Sequence, residues 1–495
     1  MNTPRNIFKN TMALFISQII YMGGSILLVF YLSRLLQAEG LGSYSTALAF
    51  FGLGELVCEL GLSNFIPREL SKDLTKTNRY LIHAGLLVVA ISLVLMVIFA
   101  GIVPFFDYAD ETTRSIYLVS LALIPTALRV ILGAIFICHQ RAEFVTLTTT
   151  LWTTVKILVS LYLLYQGYGV ISLILTFTVM SYLSLFTSLG FYIKYINKPR
   201  WEFDMTFLKR MAYDLRAFVV LAIGGSIFTQ AELLILSWIK GEAEVGIYSA
   251  AFKLITIWYV IPTSYMQVVF PILTHTYQKS SRQSHHIQLK SLKYLLALAF
   301  PLAVGGFVVA EPVVNLFYGP GFERSVMVFR LIAWHTILAF INNVLWRALL
   351  ARDEQHLALR VQIISGVIRI VASFLLIPMW GAVGAGMALM TGYTVYTLLH
   401  IYYIQRNGMQ LPFLKLGGRF ALASALMGAF VSVLVTRVNL FVLVLLAALV
   451  YVGLVLLLRG FSQEDWALFS QVWRQRVGKK VIDSEPVVES AGIES

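Results

Sequence analysis

The chain alternates between long apolar runs and short polar or charged stretches over most of its length. A transmembrane helix needs about 20 mainly apolar residues, and runs of this kind recur along the whole sequence. The predicted spans are 12–32, 42–62, 81–104, 115–137, 146–166, 169–192, 215–238, 246–270, 294–312, 328–350, 361–379, 383–404, 418–437 and 439–459. The pattern therefore predicts an all-α integral membrane protein with 14 transmembrane helices.

One apolar–polar–apolar stretch occurs twice, at residues 32–50 and 236–254. The first copy reads LSRLLQAEGLGSYSTALAF and the second reads LSWIKGEAEVGIYSAAFKL, and the two align without a gap. A second matching pair follows in the same order, LLYQGYGV at 163–170 and LLIPMWGA at 375–382. Paired halves are a common plan of membrane transporters, so the repeats predict a duplicated helical unit.

The duplication divides the chain into four predicted parts. Residues 1–200 form a first lobe with helices 1–6, and residues 201–410 form a second lobe with helices 7–12. Residues 411–460 hold helices 13 and 14. The remaining residues, 461–495, are predicted to form a cytoplasmic amphipathic helix and a disordered tail. Ser462 and Asp465 have the spacing of a capping box, which marks the start of the helix.

The composition agrees with a membrane protein. Hydrophobic residues make up 58% of the chain and charged residues 13%, with a mean hydropathy of +0.79, whereas soluble domains are about a quarter charged. The net charge of +13 does not indicate nucleic-acid binding, because most of the 38 Lys and Arg residues fall in the segments predicted to lie on one side of the membrane. Lys156 is counted with these residues. The opposite set holds only five, Arg34, Arg114, Lys240, Arg324 and Arg437. Basic residues concentrate on the cytoplasmic side, so both termini are predicted to be cytoplasmic.

Enzymatic signatures are lacking in the sequence. We find no phosphate-binding Gly-Lys-Ser loop, no nucleophile elbow and no metal-ligand spacing among the histidines or the two cysteines, Cys58 and Cys138. No segment outside the predicted spans is long enough for a catalytic domain. The sequence therefore predicts a non-enzymatic protein without catalytic residues, metal or cofactor.

Acidic residues inside the predicted spans are candidates for ion coupling, because a charge there costs about 2.5–3.5 kcal/mol on insertion scales. Glu55 and Glu59 lie one turn apart on the same face of the second span, an arrangement that fits a proton or sodium site. Glu232 lies deep in the seventh span. The alternatives are that Glu59 is solvated at the interface and that Glu232 forms a static pair with Lys253 or another base.

Four basic residues inside the spans, Arg129, Lys253, Arg330 and Arg369, are candidates for substrate binding. Arginine forks suit phosphate geometry, so basic side chains lining one cavity would hold an anionic headgroup. Alternatively, each base pairs with a glutamate for structural reasons.

Several stretches resemble the polysaccharide exporters of bacteria, the Wzx-type oligosaccharide flippases. The similarity begins with YLSRLLQAEGLGSYSTALAF and ELGLSNFIPRELSKD, continues with GEAEVGIYSAAFKL and EPVVNLFYGPGFERSVMVFRLIA, and ends with LLARDEQHLALRVQIISGVIRIVASFLLIPMWGAVGAGMA. It covers most of residues 1–404. These exporters share a superfamily with the multidrug-and-toxin extruders (MATE proteins) and the lipid II flippases. The resemblance implies a MATE-like fold of two pseudo-symmetric six-helix lobes followed by two C-terminal helices.

The resemblance also implies a function. Family members move undecaprenyl-pyrophosphate-linked oligosaccharides, such as O-antigen, capsule or exopolysaccharide units, from the cytoplasmic to the periplasmic leaflet of the bacterial inner membrane. Alternating access, H⁺ or Na⁺ as the coupling ion, and a polysaccharide polymerase and chain-length regulator as partners follow from the same resemblance. The alternatives are a cation antiporter of the multidrug-extruder type and, from another class, a membrane-embedded glycosyltransferase or polymer ligase.

Overall fold

The computed structural model describes residues 4–59, 61–406, 408 and 410–467, with only the backbone described over 4–22 and 217–229. These residues are helical, with no strand among them. The first nine helices are α1 (Pro4–Glu59), α2 (Leu62–Leu70), α3 (Thr77–Ile102), α4 (Asp110–Ser120), α5 (Leu123–Cys138), α6 (Ala142–Tyr165), α7 (Val170–Tyr195), α8 (Met205–Lys240) and α9 (Glu242–Thr256). The others are α10 (Val260–Lys279), α11 (Ser281–Val308), α12 (Ala310–Phe317), α13 (Glu323–Ala333), α14 (His335–Ala351), α15 (Gln355–Trp380), α16 (Ala382–Arg406), α17 (Phe413–Leu434) and α18 (Leu440–Leu457).

The helices confirm an all-α membrane fold. Within the described ranges, 11 helices are long and apolar enough to cross a membrane, or up to 12 if the bent pair α9 and α10 is one span. Two predicted spans, 12–32 and 42–62, run through α1, which bends at Gln37 where φ is 56° and ψ is −164°. The number of 14 membrane crossings therefore stays a prediction.

The predicted repeats are related in the structure by a twofold pattern. Gly241 occupies the position of Gln37 in the second copy and also has a positive φ, 77°. Each turn then contacts the other at equivalent points. A Cβ on Gly42 would overlap the main-chain carbonyl of Glu242, and a Cβ on Gly246 would overlap that of Ala38.

At the second pair of matching stretches a helix is capped in each half, although the capping residues do not occupy equivalent positions. A carboxylate caps the helix that begins after each: Glu111 accepts a hydrogen bond from Val170 N at 3.0 Å, and Glu244 accepts one from Ala382 N at 2.7 Å. Acidic groups at helix N-termini are favourable because the first N–H groups of a helix have no partner within it. The repeat therefore extends from the sequence to the backbone geometry of the two turns, whereas the capping carboxylates come from α4 in the first half and α9 in the second.

Helices α1 and α4–α7 pack on one another, as do α8, α9 and α13–α16, and the two groups meet mainly where α1 contacts α8 and α9. The contact continues at the end of the bundle predicted to face outward. There Tyr108 and Ser237 share a hydrogen bond of 2.8 Å, and Ala109 N donates to Glu242 at 3.0 Å. Arg34 donates from its Nε to the carbonyl of Phe317 at 3.1 Å. Side chains and main chain of the two halves, including the segment before α4 and the end of α12, therefore contact each other at this end.

The last two helices form a separate layer, with α17 packed on α11 and α18 packed on α17. After them, Ser462 and Asp465 make the reciprocal bonds of a capping box, with Ser462 N donating to Asp465 at 2.8 Å. Burial alone would raise the pKa of Asp465, but hydrogen bonds from Lys293, Ser462 and Tyr294 outweigh it and hold that pKa well below its usual range. The start of the tail is thus pinned to α11, while residues 468–495, including most of the predicted amphipathic helix, lie outside the described residues.

One residue lies elsewhere than the charge pattern suggested. Lys156, counted with the cytoplasmic basic residues, lies in the middle of α6, more than two turns from either end. It is therefore a charge within a membrane-spanning helix. The error arose because the surrounding Thr-rich sequence reads as a weak, polar span.

Candidate functional site

A cavity of about 480 Å³ lies among α1, α5, α6 and α7. Its walls combine two basic residues, one acid, hydroxyl side chains and aromatic rings. The lining residues are Phe51, Glu55, Thr126, Arg129, Val145, Thr146, Thr149, Trp152, Thr153, Lys156, Phe177, Met180, Ser181 and Ser184. A polar cavity inside a bundle of apolar helices is an expected feature of a transporter.

Arg129 enters the cavity from α5. Its Nη1 donates to the hydroxyl of Thr149 on α6, at a long distance of 3.4 Å. Most of the guanidinium donors therefore have no strong protein acceptor, and they face a space large enough for a ligand. An arginine has five N–H donors, so Arg129 retains capacity to bind an anion.

Lys156 enters the same cavity from α6. Its ammonium lies 4.9 Å from the centre of the Phe177 ring, and its charge interacts with those of Arg129, Lys253 and Glu55. Among the described side chains, neither Lys156 nor Arg129 forms an ion pair with a carboxylate. Two such cations beside one cavity have the charge that suits a negatively charged group.

Glu55 lines the cavity from α1, opposite these two cations. It interacts electrostatically with Arg129, Lys156 and Glu59, but it is not hydrogen-bonded to either base. Glu59 lies one turn further along α1 and is not among the lining residues. Of the two predicted acids on this helix, the geometry places only Glu55 at the cavity.

Lys253 connects the two halves. It lies on α9, and its Nζ donates to the hydroxyl of Ser25 on α1 at 2.8 Å. It does not line the cavity, although its charge acts on Lys156. A cation from the second half therefore stands near the cations of the first.

Arg369 and Glu232 form a buried ion pair between α15 and α8, with side chains only 10% and 3% exposed. Tyr248 also donates to Glu232, at 3.2 Å. Gly392 on α16 makes room for the stem of Arg369, because a Cβ there would lie about 3.0 Å from its Cγ and Cδ atoms. The structural alternative considered for Glu232 therefore applies, with Arg369 as the partner base.

Arg330 differs from these residues because its side chain forms an exposed pair. Its guanidinium is 3.9 Å from the carboxylate of Glu311, and both side chains are substantially exposed. A pair of this kind contributes little to stability. Arg330 therefore lies at the surface of the bundle and does not line the cavity.

The structure thus divides the predicted site residues. It brings Arg129 and Glu55 together, adds Lys156, and places Lys253 nearby, while Arg369 and Glu232 pair elsewhere. Sequence reasoning missed Lys156 and the hydroxyls of α6, although Thr146, Thr149, Thr153 and Lys156 recur at helical spacing, a signal that could have found them. Among the described residues, no group of three or more His, Cys, Asp or Glu side chains could hold a metal ion.

Comparison with protein families gives two matches. The family described as Polysaccharide biosynthesis protein matches residues 31–327, and Lipid II flippase MurJ matches residues 247–475. Several relatives cover most of the chain. The probable low-salt glycan biosynthesis flippase Agl15 of Haloferax volcanii is 23% identical over 81% of this chain and 84% of its own length. The capsular polysaccharide biosynthesis protein CapF of Staphylococcus aureus is 19% identical over 80% and 99%.

Solved structures show the same fold. The lipid II flippase MurJ in its inward closed conformation aligns with a TM-score of 0.76 and 17% identity, covering 91% of this chain and 99% of that one. An inward-facing MATE transporter aligns with a TM-score of 0.63 and 14% identity, covering 79% and 94%. These likenesses confirm the predicted MATE-like fold of a multi-pass membrane protein. The flippase family model and the flippase relative indicate a transporter rather than an enzyme. The chain belongs to the polysaccharide biosynthesis protein family, as its sequence motifs predicted.

Proposed function

We propose that this protein is a flippase for lipid-linked oligosaccharides and that the cavity of its first half holds the phosphate-bearing head of the lipid. The observation that carries the proposal is that two cations, Arg129 and Lys156, face the cavity from two helices and form no salt bridge with a described carboxylate. Ionisable residues inside membrane spans mark substrate or ion pathways. The negative charge of a pyrophosphate diester balances the positive charges of these two side chains.

Alternating access suits the contacts between the halves. The predicted outward end is closed by the repeat turns, in which Gly42 and Gly246 lie against the main chain of the opposite half. Rigid-body movement of one half against the other would expose the cavity to each side in turn. With both termini in the cytoplasm, the head enters from the cytoplasmic leaflet of the bacterial inner membrane and leaves on the periplasmic side, where a polymerase and chain-length regulator use it.

Translocation itself is the test. Purified protein in proteoliposomes is expected to move a fluorescent polyprenyl-pyrophosphate oligosaccharide between leaflets, measured by quenching or enzymatic access at the outer surface. A cell that lacks the gene is expected to accumulate the unflipped lipid-linked intermediate. Transport of a cationic dye by the same vesicles, with no lipid movement, would instead favour the cation antiporter.

We further propose that Glu55 couples substrate binding to protons. Its carboxylate partly offsets the charges of Arg129 and Lys156, so a proton on Glu55 leaves both cations available to phosphate. Phosphate binding by the natural protein is therefore expected to strengthen as the pH falls. The groups facing Glu55 are Arg129 on α5, Lys156 on α6 and Glu59 on α1 itself, and α7 contributes no titratable group to the cavity wall.

The Glu55→Gln variant is expected to bind an isoprenyl pyrophosphate about 3- to 10-fold more tightly at pH 7, because removing one nearby negative charge in a partly buried site is worth roughly 1 kcal/mol. Between pH 5 and pH 8 its affinity should vary less with pH than that of the natural protein, and an imposed pH gradient should no longer accelerate translocation. Fluorescence titration and proteoliposome flux measure the two effects. Glu59→Gln, one turn away and outside the cavity, is the matched control; an unchanged pH profile in Glu55→Gln would contradict the coupling role.

A further inference from the structure

The cavity wall formed by α6 carries a row of hydroxyl groups beside the two cations. Thr146, Thr149, Thr153 and Lys156 all line the cavity, and their spacings of three and four residues put them on one face of the helix. At 1.5 Å per residue the row extends over about 15 Å. It therefore runs from the predicted cytoplasmic end of α6 to the cation at its centre.

The neighbouring helices continue this surface. Thr126 on α5 and the pair Ser181 and Ser184 on α7 also line the cavity. The Trp152 side chain contributes an aromatic ring, because its indole N–H already donates to Thr187 at 3.0 Å. Hydroxyl groups together with an aromatic ring offer donors, acceptors and an apolar face within one wall.

The threonines of α6 differ in whether their hydroxyl groups bond to the helix itself. Thr148, on another face of α6, is 1% exposed and donates to the carbonyl of Phe144 at 2.8 Å, and Thr146 donates to the carbonyl of Ala142 at 3.3 Å. Among the described residues, none is hydrogen-bonded to the hydroxyl of Thr153. Threonine is a poorer helix former than leucine or alanine, so nothing in helix formation favours Thr153 at the cavity surface. A hydroxyl both donates and accepts, which matches the hydroxyl groups of a sugar.

We infer that the row Thr146–Thr149–Thr153 is a subsite for the sugar attached directly to the phosphate, with an uncharged hexose or N-acetylhexosamine as its ligand. The inference rests on the proposed function, because the phosphate on Arg129 and Lys156 places the first sugar against α6. Neutral hydrogen bonds are individually weak, so such a subsite holds the sugar in place yet releases it after translocation.

The test compares two soluble pyrophosphate diesters of equal charge: a short-chain isoprenyl pyrophosphate capped as its methyl ester (the bare pyrophosphate) and the same isoprenyl pyrophosphate carrying one N-acetylglucosamine in place of the methyl group. The natural protein is expected to bind the glycosylated probe more tightly. The double variant Thr146→Val/Thr153→Val should lose about 5- to 100-fold in affinity for that probe and little for the bare pyrophosphate, since each hydrogen bond contributes about 0.5–1.5 kcal/mol. Thr149 is left intact because it accepts a hydrogen bond from Arg129.

Thr154→Val, next to Thr153 on α6 but outside the cavity wall, is the matched control and should change neither affinity. Equal affinity of the natural protein for both probes, or an equal loss for both in the double variant, would overturn the sugar subsite while leaving the phosphate site standing. If the natural protein bound neither probe, the proposed function itself would fail, and the subsite with it. Thermal unfolding of each variant in detergent verifies that the fold is retained.

Discussion

Alanine at Arg129 or at Lys156 is expected to weaken binding of an isoprenyl pyrophosphate by about 10- to 100-fold for each substitution. A hydrogen bond to a charged group contributes about 1.5–3 kcal/mol, and neither side chain has a carboxylate partner among the described residues that would take over its role. The two substitutions together should abolish translocation in proteoliposomes. Isothermal titration and leaflet-exchange rates provide the measurements.

Arg330→Ala serves as the control for charge alone. It removes an arginine whose guanidinium forms an exposed pair with Glu311 at 3.9 Å. The affinity for isoprenyl pyrophosphate and the translocation rate should therefore equal those of the natural protein. Natural affinity in Arg129→Ala and Lys156→Ala would show that the phosphate binds elsewhere. A loss of similar size in Arg330→Ala would show that overall charge, and not the cavity, sets the affinity.

Arg369→Ala is expected to lower the free energy of unfolding by about 3–5 kcal/mol, because removing one partner leaves the buried carboxylate of Glu232 without its counter-ion. The remaining folded protein should bind isoprenyl pyrophosphate with the affinity of the natural protein. Thermal unfolding in detergent measures the first effect, and titration of the folded fraction measures the second. The sequence had grouped Arg369 with Arg129 as a headgroup ligand; its buried ion pair with Glu232 is the reason to expect a stabilising role in the second half instead.

The double variant Arg369→Met/Glu232→Gln tests this assignment. Replacing both charges removes the unpaired carboxylate, and buried pairs exchanged for uncharged groups of similar volume are often close to neutral in stability. The double variant should therefore recover most of the stability lost in Arg369→Ala. If the Arg369→Ala variant were stable but no longer bound phosphate, Arg369 would instead be a residue of the substrate site.

Much of the fold was predictable because the membrane constrains it strongly. Every span must be apolar and helical, so hydropathy located the helices, and the repeat indicated two related halves. Hydropathy could not show where helices break, as between α4 and α5 or at Trp334, because apolar residues occur on both sides of each break. The composition of a segment indicates whether it is buried, but it does not indicate where its backbone bends.

The site was only partly predictable. Arg129 and Glu55 stood out as charges inside spans, and both lie at the cavity. The partner of Glu232 could not be predicted, because Lys253 and Arg369 were both available and only packing brings α15 against α8. Lys156 was overlooked because the charge count treated it as part of a cytoplasmic segment, although its helical spacing from Thr149 and Thr153 was readable.

The crossing of the two repeat turns has a consequence for how the halves can diverge. Gly42 and Gly246 each lie against the peptide backbone of the other copy, not against a side chain. A larger residue at either position cannot be accommodated by trimming a neighbour, since a carbonyl group has nothing to shorten. Substitutions elsewhere in the two copies can remove their sequence similarity. At this contact, however, Gly42 and Gly246 must both remain glycine for as long as the two halves pack against each other.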